Sequence, residues 1–319
     1  MLRPIVVLVV LSILGSSLES VACARTATPE PPKPGAKKVY DESADAEKDI
    51  AAALERAKRD HKRVLIQWGA NWCGWCIKLH RTFEQDPELA KTLNYEYEVV
   101  FADVGSTDKW QDLRKRLGVD FKDAGIPYLT ILDDAGKPIV QQATGPLEVD
   151  DHHDPAKVLA FLKEHAAKPL DAVTVLDDAL AAAKKDDKLV FVHFGAPWCG
   201  WCHKLEDWLA KPEIAKAIAE RAIEVKIDVD RMSHGKDVMK RFRASEAGGI
   251  PWYAFVNAAG QTLITSDAAG ENIGFPASDA EILGFVAMLE KAKYSDAAIQ
   301  ELRASLSASA QSLKRPSGN

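Results

Sequence analysis

Beyond its first 25 residues the chain has no apolar run long enough to cross a bilayer, which needs about 20 apolar residues in a row. It also lacks a surplus of positive charge. Lysine and arginine number 41 against 47 acidic residues, a net charge of −6. Phosphate binding wants a basic face, so no nucleic-acid partner is expected. Cysteine is scarce. Of five in 319 residues, Cys23 lies near the N-terminus, and the rest form two pairs, Cys73 with Cys76 and Cys199 with Cys202. That is too few for a framework of structural disulfides. In an exported chain, cysteines confined to such pairs point to chemistry rather than stapling.

The N-terminus carries an export address. Arg3 is a short positive start, Ile5 to Leu14 is almost wholly apolar, and Ala22-Cys23-Ala24 has the small-x-small pattern of a cleavage site. Residues 1–24 therefore read as a signal peptide, and the protein as periplasmic or extracellular. Two other readings stand beside this one. Ser20-Val21-Ala22-Cys23 loosely matches a lipobox, which would make Cys23 a lipid anchor, and an uncleaved segment would itself be a membrane anchor. Residues 25–38 follow as an extended, solvated tether holding Pro29, Pro31, Pro32 and Pro34.

The rest repeats with a period of about 125 residues, one whole domain per repeat. The segment from Lys62 to Cys76 aligns with Lys188 to Cys202, Asp86-Pro87-Glu88 with Lys211-Pro212-Glu213, and Gly125-Ile126-Pro127 with Gly249-Ile250-Pro251. The expected domains are 39–167 and 168–295, with 296–319 as a tail that is either helical or disordered. Ile299, Leu302 and Leu306 supply the helical spacing there. Each unit begins with an amphipathic helix, at about 44–60 and 177–186. A buried strand follows, Val64 to Trp68 or Leu189 to Phe194. The cysteine pair then opens a helix that is broken or kinked near Pro87 or Pro212. The full order is β-α-β-α-β-β-α after the leading helix. The expected fold class is α/β: two tandem domains, each a mixed central sheet flanked by helices.

A strand, a Cys-x-x-Cys and a helix in succession have a chemical purpose. The first cysteine sits at the helix N-terminus, where unpaired N–H groups and the helix dipole favour a thiolate. The thiolate is the reacting form, and such a setting pulls its pKa below about 8.5. The second cysteine lies one turn on, close enough to close a disulfide. Cys73 and Cys199 are thus the expected nucleophiles, attacking a substrate disulfide. Cys76 and Cys202 resolve the mixed disulfide.

Both units resemble the thioredoxin-like family, through Trp72-Cys73-Gly74-Trp75-Cys76 with Ile126-Pro127 and Trp198-Cys199-Gly200-Trp201-Cys202 with Ile250-Pro251. The likeness covers about 39 to 295. It implies tandem thioredoxin-like domains, as in protein disulfide isomerase, with a unit length nearer to bacterial periplasmic relatives. It also implies that Pro127 and Pro251 are cis and face the cysteines, with Ile126 and Ile250 offering backbone groups to a substrate strand. Two features depart from the family. Trp75 and Trp201 stand where thioredoxin has Pro and disulfide isomerase has His. The family's buried Asp, six residues before the first cysteine, is replaced by Gln67 and His193. Gln67 does not titrate, whereas His193 can. His203, directly after Cys202, would favour a thiolate as an imidazolium. The two sites are therefore expected to be tuned differently.

The resulting expectation is a thiol–disulfide oxidoreductase acting on exported proteins, a reductase or isomerase in preference to an oxidase, with no cofactor. It needs an electron donor or acceptor, expected to be a membrane redox partner. A chaperone-like binding protein with secondary thiols is the alternative from another class. Cys199-Gly200-Trp201-Cys202-His203 also fits a c-type haem attachment pattern, although Ile77 replaces the His in the first unit. A zinc site built from both pairs would have to join separate repeats. Trp75 and Trp201 are expected to be exposed contacts for unfolded substrate, and Trp72 and Trp198 to pack on their domains. Asp150 to Asp154, with His152 and His153, reads as a solvated loop rather than a metal site. His193 reads as a hydrogen-bonded core residue before it reads as a proton shuttle.

Overall fold

The computed structural model describes residues 38–105, 109–243 and 248–314. The expected signal peptide, the alternative lipid anchor at Cys23 and nearly all of the expected tether lie outside these residues. Among the described residues no helix is long and apolar enough to cross a membrane.

The first unit opens with α1 (Ala46–Asp60). The Asp45 carboxylate caps its free N–H groups, accepting from Glu47 and Lys48, while Lys58 and Arg59 sit in its last turn. Strand β1 (Arg63–Gly69) leads to α2 (Gly74–Gln85), α3 (Pro87–Glu96), β2 (Tyr97–Asp103), α4 (Gln111–Leu117), β3 (Tyr128–Leu132) and β4 (Pro138–Ala143). A two-rung hairpin, β5 (Glu148–Val149) and β6 (His152–His153), precedes α5 (Pro155–His165). The second unit runs α6 (Ala172–Asp186), β7 (Leu189–Gly195), α7 (Gly200–Leu209), α8 (Pro212–Ala219), β8 (Ala222–Asp228), α9 (Gly235–Phe242), β9 (Trp252–Val256), β10 (Thr262–Thr265), α10 (Asp279–Lys291) and α11 (Asp296–Lys314). At each proline the helix is broken rather than kinked. Pro87 and Pro212 each start a new helix, the position at which a missing N–H costs nothing.

The sheets have the orders β2-β1-β3-β4 and β10-β9-β7-β8. The β1–β2 and β7–β8 pairs are parallel, and the remaining pairs are antiparallel. Helices cover both faces of each sheet, so the central strands read as continuous apolar runs. On the first sheet, Ile50 and Leu113 pack with Ile66 and Trp68 on one face, and Leu79, Phe83 and Leu162 with Leu65 and Ile131 on the other. On the second, Leu176 and Val238 meet Val192 and Phe194, and Leu205, Trp208 and Phe285 meet Phe191 and Phe255. This is the α/β class expected.

Of the two readings of the tail, the structure has the helix. Leu302 and Leu306 are completely buried in the same cluster as Trp208 and Phe285. Trp208 Nε1 donates to Ser305 Oγ at 3.0 Å. Helix α11 therefore belongs to the core of the second sheet. Each buried leucine contributes about 2 kcal/mol through its removal from water.

The two units meet at a polar seam. Arg231 donates to the carbonyls of Asp60 and His61 at 3.0 and 2.7 Å, and to Glu96 Oε2 at 3.0 Å. It thereby caps the C-terminal, electronegative end of α1 from the other unit. Lys226 Nζ lies 2.8 Å from Asp60 Oδ1, Arg59 Nη1 donates to Asp207 Oδ1 at 2.9 Å, and Asn94 Nδ2 donates to the Pro197 carbonyl at 3.2 Å.

Candidate functional site

Each cysteine pair sits where a central strand ends and a helix begins. Cys73 and Cys199 are the N-caps of α2 and α7. Their sulfurs accept from the backbone N–H of Cys76 and Cys202, both at 3.1 Å. A cap is ordinarily an oxygen, and here a sulfur faces the free N–H groups that would stabilise it as a thiolate. Each pair is closed as a disulfide, with Cα atoms 5.3 and 5.2 Å apart. The cysteines are nearly covered, those at 76 and 202 most completely.

The loop before the third strand of each sheet reaches the same point. The Ile126–Pro127 and Ile250–Pro251 peptide bonds are cis. The carbonyls of Ile126 and Ile250 each lie 3.6 Å from the sulfur of Cys73 and Cys199. An apolar groove with a basic edge runs beside each disulfide. Trp72, Trp75, Arg114, Phe121 and Ile126 line the first. Trp198, Val229, Lys236, Met239 and Ile250 line the second.

Three of the four tryptophans, Trp72, Trp75 and Trp198, are arranged differently from expectation. Trp72 and Trp198 do not pack on their domains, being 58 % and 59 % exposed. Each lies in the loop before the cap. Its indole N–H is tied down, to the Gly105 carbonyl at 2.7 Å or to Asp230 Oδ2 at 2.6 Å, which leaves the ring face open. Trp201 is 50 % exposed and stacks on Phe275. Trp75 is only half-buried rather than exposed. His153 stands edge-on to its ring at 5.4 Å, and Lys78 Nζ lies 4.7 Å over it. The Asp150–Asp154 stretch is thus more than a solvated loop. It carries the β5–β6 hairpin, Asp154 caps α5, and His153 is completely buried against the first site. Burial, with Lys78 and His152 adding to it, pushes the His153 imidazole down to about 4.

Gln67, His193 and His203 have separate surroundings. Gln67 is buried and donates to the Tyr40 hydroxyl at 2.5 Å and the Cys76 carbonyl at 3.2 Å. His193 is buried with Nε2 3.0 Å from Glu224 Oε1. His203 has Nε2 2.8 Å from the Pro197 carbonyl and Nδ1 3.4 Å from Glu206 Oε2. The Glu206 hydrogen bond, against the opposing effect of burial, holds the His203 imidazole above its ordinary range. Both ring nitrogens face protein oxygens, so this histidine does not fit the open axial ligand that a haem attached at Cys199 and Cys202 would require.

Three features of the site escaped the sequence reading. Gly69 and Gly195 end β1 and β7, each directly behind the second cysteine. A Cβ on Gly69 would lie 2.6 Å from Tyr40 Cζ and 2.9 Å from Cys76 Sγ. A Cβ on Gly195 would lie 3.2 Å from Glu206 Oε1 and 3.4 Å from Cys202 Sγ. Tyr40 and Glu206 therefore stand on the same side of these glycines as Cys76 and Cys202. The recurrence of the glycine at equivalent places in both repeats was the available signal. Tyr40 lies just past the proline-rich tether, and Glu206 resembles any other helix acid, so neither drew notice.

Two family models match the chain. The model Thioredox_DsbH, described as "Protein of unknown function, DUF255", matches residues 155–314, and Thioredoxin_7, described as "Thioredoxin-like", matches residues 45–134. The chain is 30 % identical over 171 residues to "Protein disulfide-isomerase erp38" of Neurospora crassa, covering 53 % of this chain and 44 % of that one. It is 28 % identical over 101 residues to "Disulfide bond reductase DsbH" of Chlamydia pneumoniae, covering 30 % and 61 %. The matched region is thus under two thirds of the length of either relative. A solved disulphide isomerase structure from Xylella fastidiosa Temecula1 aligns with 28 % identity over 40 % of this chain and 97 % of that one, with a TM-score of 0.36.

Proposed function

The chain belongs to the thioredoxin-like family, through a DsbH-type match to half its length, and from that premise we propose that it is a thiol–disulfide oxidoreductase with two redox sites acting on exported proteins. One observation carries this reading: in both units a cysteine sulfur is the N-cap of a helix, with its partner one turn later and a cis-proline loop against it.

In the reducing direction, the Cys73 or Cys199 thiolate attacks a substrate disulfide. One substrate sulfur leaves as a thiolate, and a mixed disulfide forms. Cys76 or Cys202 then attacks the cap sulfur, releasing the second substrate thiol and closing the protein's own disulfide. Two electrons pass from protein to substrate. A donor, proposed to be a membrane redox partner, must restore the dithiol. The Ile126-Pro127 and Ile250-Pro251 segments would hold an extended substrate strand through their backbone. Trp75 and Trp201, with the more exposed Trp72 and Trp198, would supply apolar contact. The names of the Neurospora and chlamydial relatives support isomerisation or reduction over oxidation. A periplasmic or extracellular site of action follows from the signal-like first 24 residues.

The open tryptophan faces also favour a second reading, a chaperone that grips unfolded chains and uses its thiols only secondarily. The Cys73→Ser, Cys199→Ser double variant separates the two. Under the first reading, reduction of insulin by dithiothreitol loses its acceleration, and either single variant keeps activity through its other site. Undiminished insulin reduction by the double variant refutes the redox reading. Loss of reduction with full suppression of aggregation confines the tryptophans to a separate holding role.

A further inference from the structure

The tryptophan before each cap is held by different means in the two units. Trp72 is held within its own unit. Its indole donates to the Gly105 carbonyl, and Asn71, the residue before it, accepts from the backbone N–H groups of Val39 and Tyr40. Trp198 is held from both units. Its indole donates to Asp230 Oδ2, to which the Tyr95 hydroxyl of α3 also donates at 3.5 Å. The carbonyl of Pro197, the residue before it, lies 2.8 Å from His203 Nε2 and accepts from Asn94 Nδ2 of α3 at 3.2 Å. Asp230 sits in the loop after β8, next to Arg231, whose guanidinium ends on Glu96 and on the carbonyls of Asp60 and His61 in the first unit.

Building on the reading of the second site as a thiol–disulfide exchange centre, we propose that the first unit completes that site's grip on substrate, with Asn94, Tyr95 and Arg231 as positioning residues that fix the open ring of Trp198 beside Cys199. The backbone end of Trp198 is fixed through Pro197 and the ring end through Asp230, and both handles lead to the first unit. Their strengths differ. Arg231 is buried, and its fork spans a carboxylate and two carbonyls, which holds the loop after β8 firmly. The Tyr95–Asp230 contact is long and Asn94 is exposed, so each of these adds little alone.

Trp198 shares its groove with Val229, Met239 and Ile250. An apolar side chain flanking a substrate cysteine would lie between this lining and the indole, so the favoured substrate is a polypeptide disulfide with an apolar neighbour. A ring already fixed in place binds such a side chain without first losing its own freedom. A small disulfide has nothing to put there. The sulfur chemistry itself stays with Cys199 at the start of α7. Help from the first unit is therefore expected in the binding of peptide and not in the exchange step.

The test uses the full chain with the first site silenced by Cys73→Ser and Cys76→Ser. The reduced protein is mixed with two peptide strands joined by a disulfide, with phenylalanine beside each cysteine, a fluorophore on one strand and a quencher on the other. Exchange passes two electrons from the Cys199–Cys202 dithiol to the peptide disulfide, frees both strands as thiols and closes the protein's own disulfide. The half-saturating peptide concentration reads the grip, and the limiting rate reads the chemistry. Dithiobis-nitrobenzoate serves as the small disulfide. Half-saturation is expected to rise about tenfold in Trp198→Ala, about tenfold in Arg231→Met and about threefold in Asn94→Ala with Tyr95→Phe. In the last two, the ratio of peptide to small-disulfide reactivity should fall by the same factors, whereas general damage to the fold would lower both reactivities together. On a Trp198→Ala background these two changes should each add less than about 1.5-fold, because the ring they place is gone. Parent-like half-saturation in Trp198→Ala or in Arg231→Met overturns the proposal, and in Asn94→Ala with Tyr95→Phe it strikes α3 from it. Penalties of undiminished size on the Trp198→Ala background overturn it too. If Arg231→Met does not fold, Asn94→Ala with Tyr95→Phe, which alters no buried residue, decides. A parent that reacts with the small disulfide and not with the peptide overturns the proposal, and a parent that reacts with neither refutes the redox reading of the second site itself.

Discussion

Gly69→Ala is the substitution whose cost the packing behind Cys76 defines most closely. The residue ends a strand, so alanine suits its backbone, and a methyl in open space would stabilise the chain by about 0.5–1 kcal/mol through the unfolded state. No such space exists. The methyl would meet the Tyr40 ring at 2.6 Å and Cys76 Sγ at 2.9 Å, closer than real carbon contacts come. Tyr40 is fully buried and its hydroxyl accepts from the Gln67 amide, so the ring cannot swing away without losing that bond. Overpacking of this kind costs about 1–3 kcal/mol, and an unsatisfied Gln67 amide costs about 1–3 kcal/mol more. The net loss expected is about 1–5 kcal/mol. At Gly195 the same methyl meets Cys202 Cβ and Glu206 Oε1 at 3.2 Å and Cys202 Sγ at 3.4 Å, and the carboxylate can yield by a few tenths of an ångström. Gly195→Ala should therefore stay within about 1 kcal/mol of wild type. Urea-dependent amide exchange, read separately on β1 and β7 in the oxidised chain, measures both. Equal losses at the two positions, or a Gly69→Ala loss under about 1 kcal/mol, would refute the packing argument.

Two further outcomes follow from buried groups elsewhere. The folded-state pKa of His153, about 4, lies below the unfolded value near 6.5, so its contribution is complete above pH 6.5 and is lost as the pH falls towards 4. The first unit should lose up to about 3 kcal/mol across that window, and His153→Phe should flatten the loss in urea titrations at stepped pH. Leu302→Ala should cost the second unit about 2–5 kcal/mol, read from amide exchange on β9, whereas Leu313→Ala on the open face of α11 should stay within about 0.5 kcal/mol. Equal costs at the two leucines would mean that α11 does not close the core.

The legible parts of the molecule were the local ones. The strand runs at Val64 and Leu189, the helix breaks at Pro87 and Pro212, and the cysteines at helix starts follow from neighbours along the chain. Repetition then told which elements belong together. Long-range juxtaposition left no such trace. Asp60 and Lys226 lie far apart in sequence, and each looks like an ordinary surface charge until the seam joins them. Glu206 was indistinguishable from the other charges of α7, because only the third dimension shows it against Gly195. The helical spacing in the tail was visible, but the partner for its apolar face was not. Trp72 and Trp198 were misplaced for a related reason. Tryptophan is usually drawn into cores, and the indole hydrogen bonds that hold these rings at the surface end on distant loops.

The placement of α11 sets an order of events during biosynthesis. A chain made from its N-terminus can complete the first sheet and its helices once α5 has emerged. The second cannot be finished then, because Leu302, Leu306 and Ala310 fill the surface beside Trp208 and Phe285. Until those last turns arrive, an apolar trough stays open next to the helix that carries Cys199 and Cys202. The newly made molecule would therefore pass through a stage in which Cys73 and Cys76 already sit in a finished half while Cys199 and Cys202 wait for theirs.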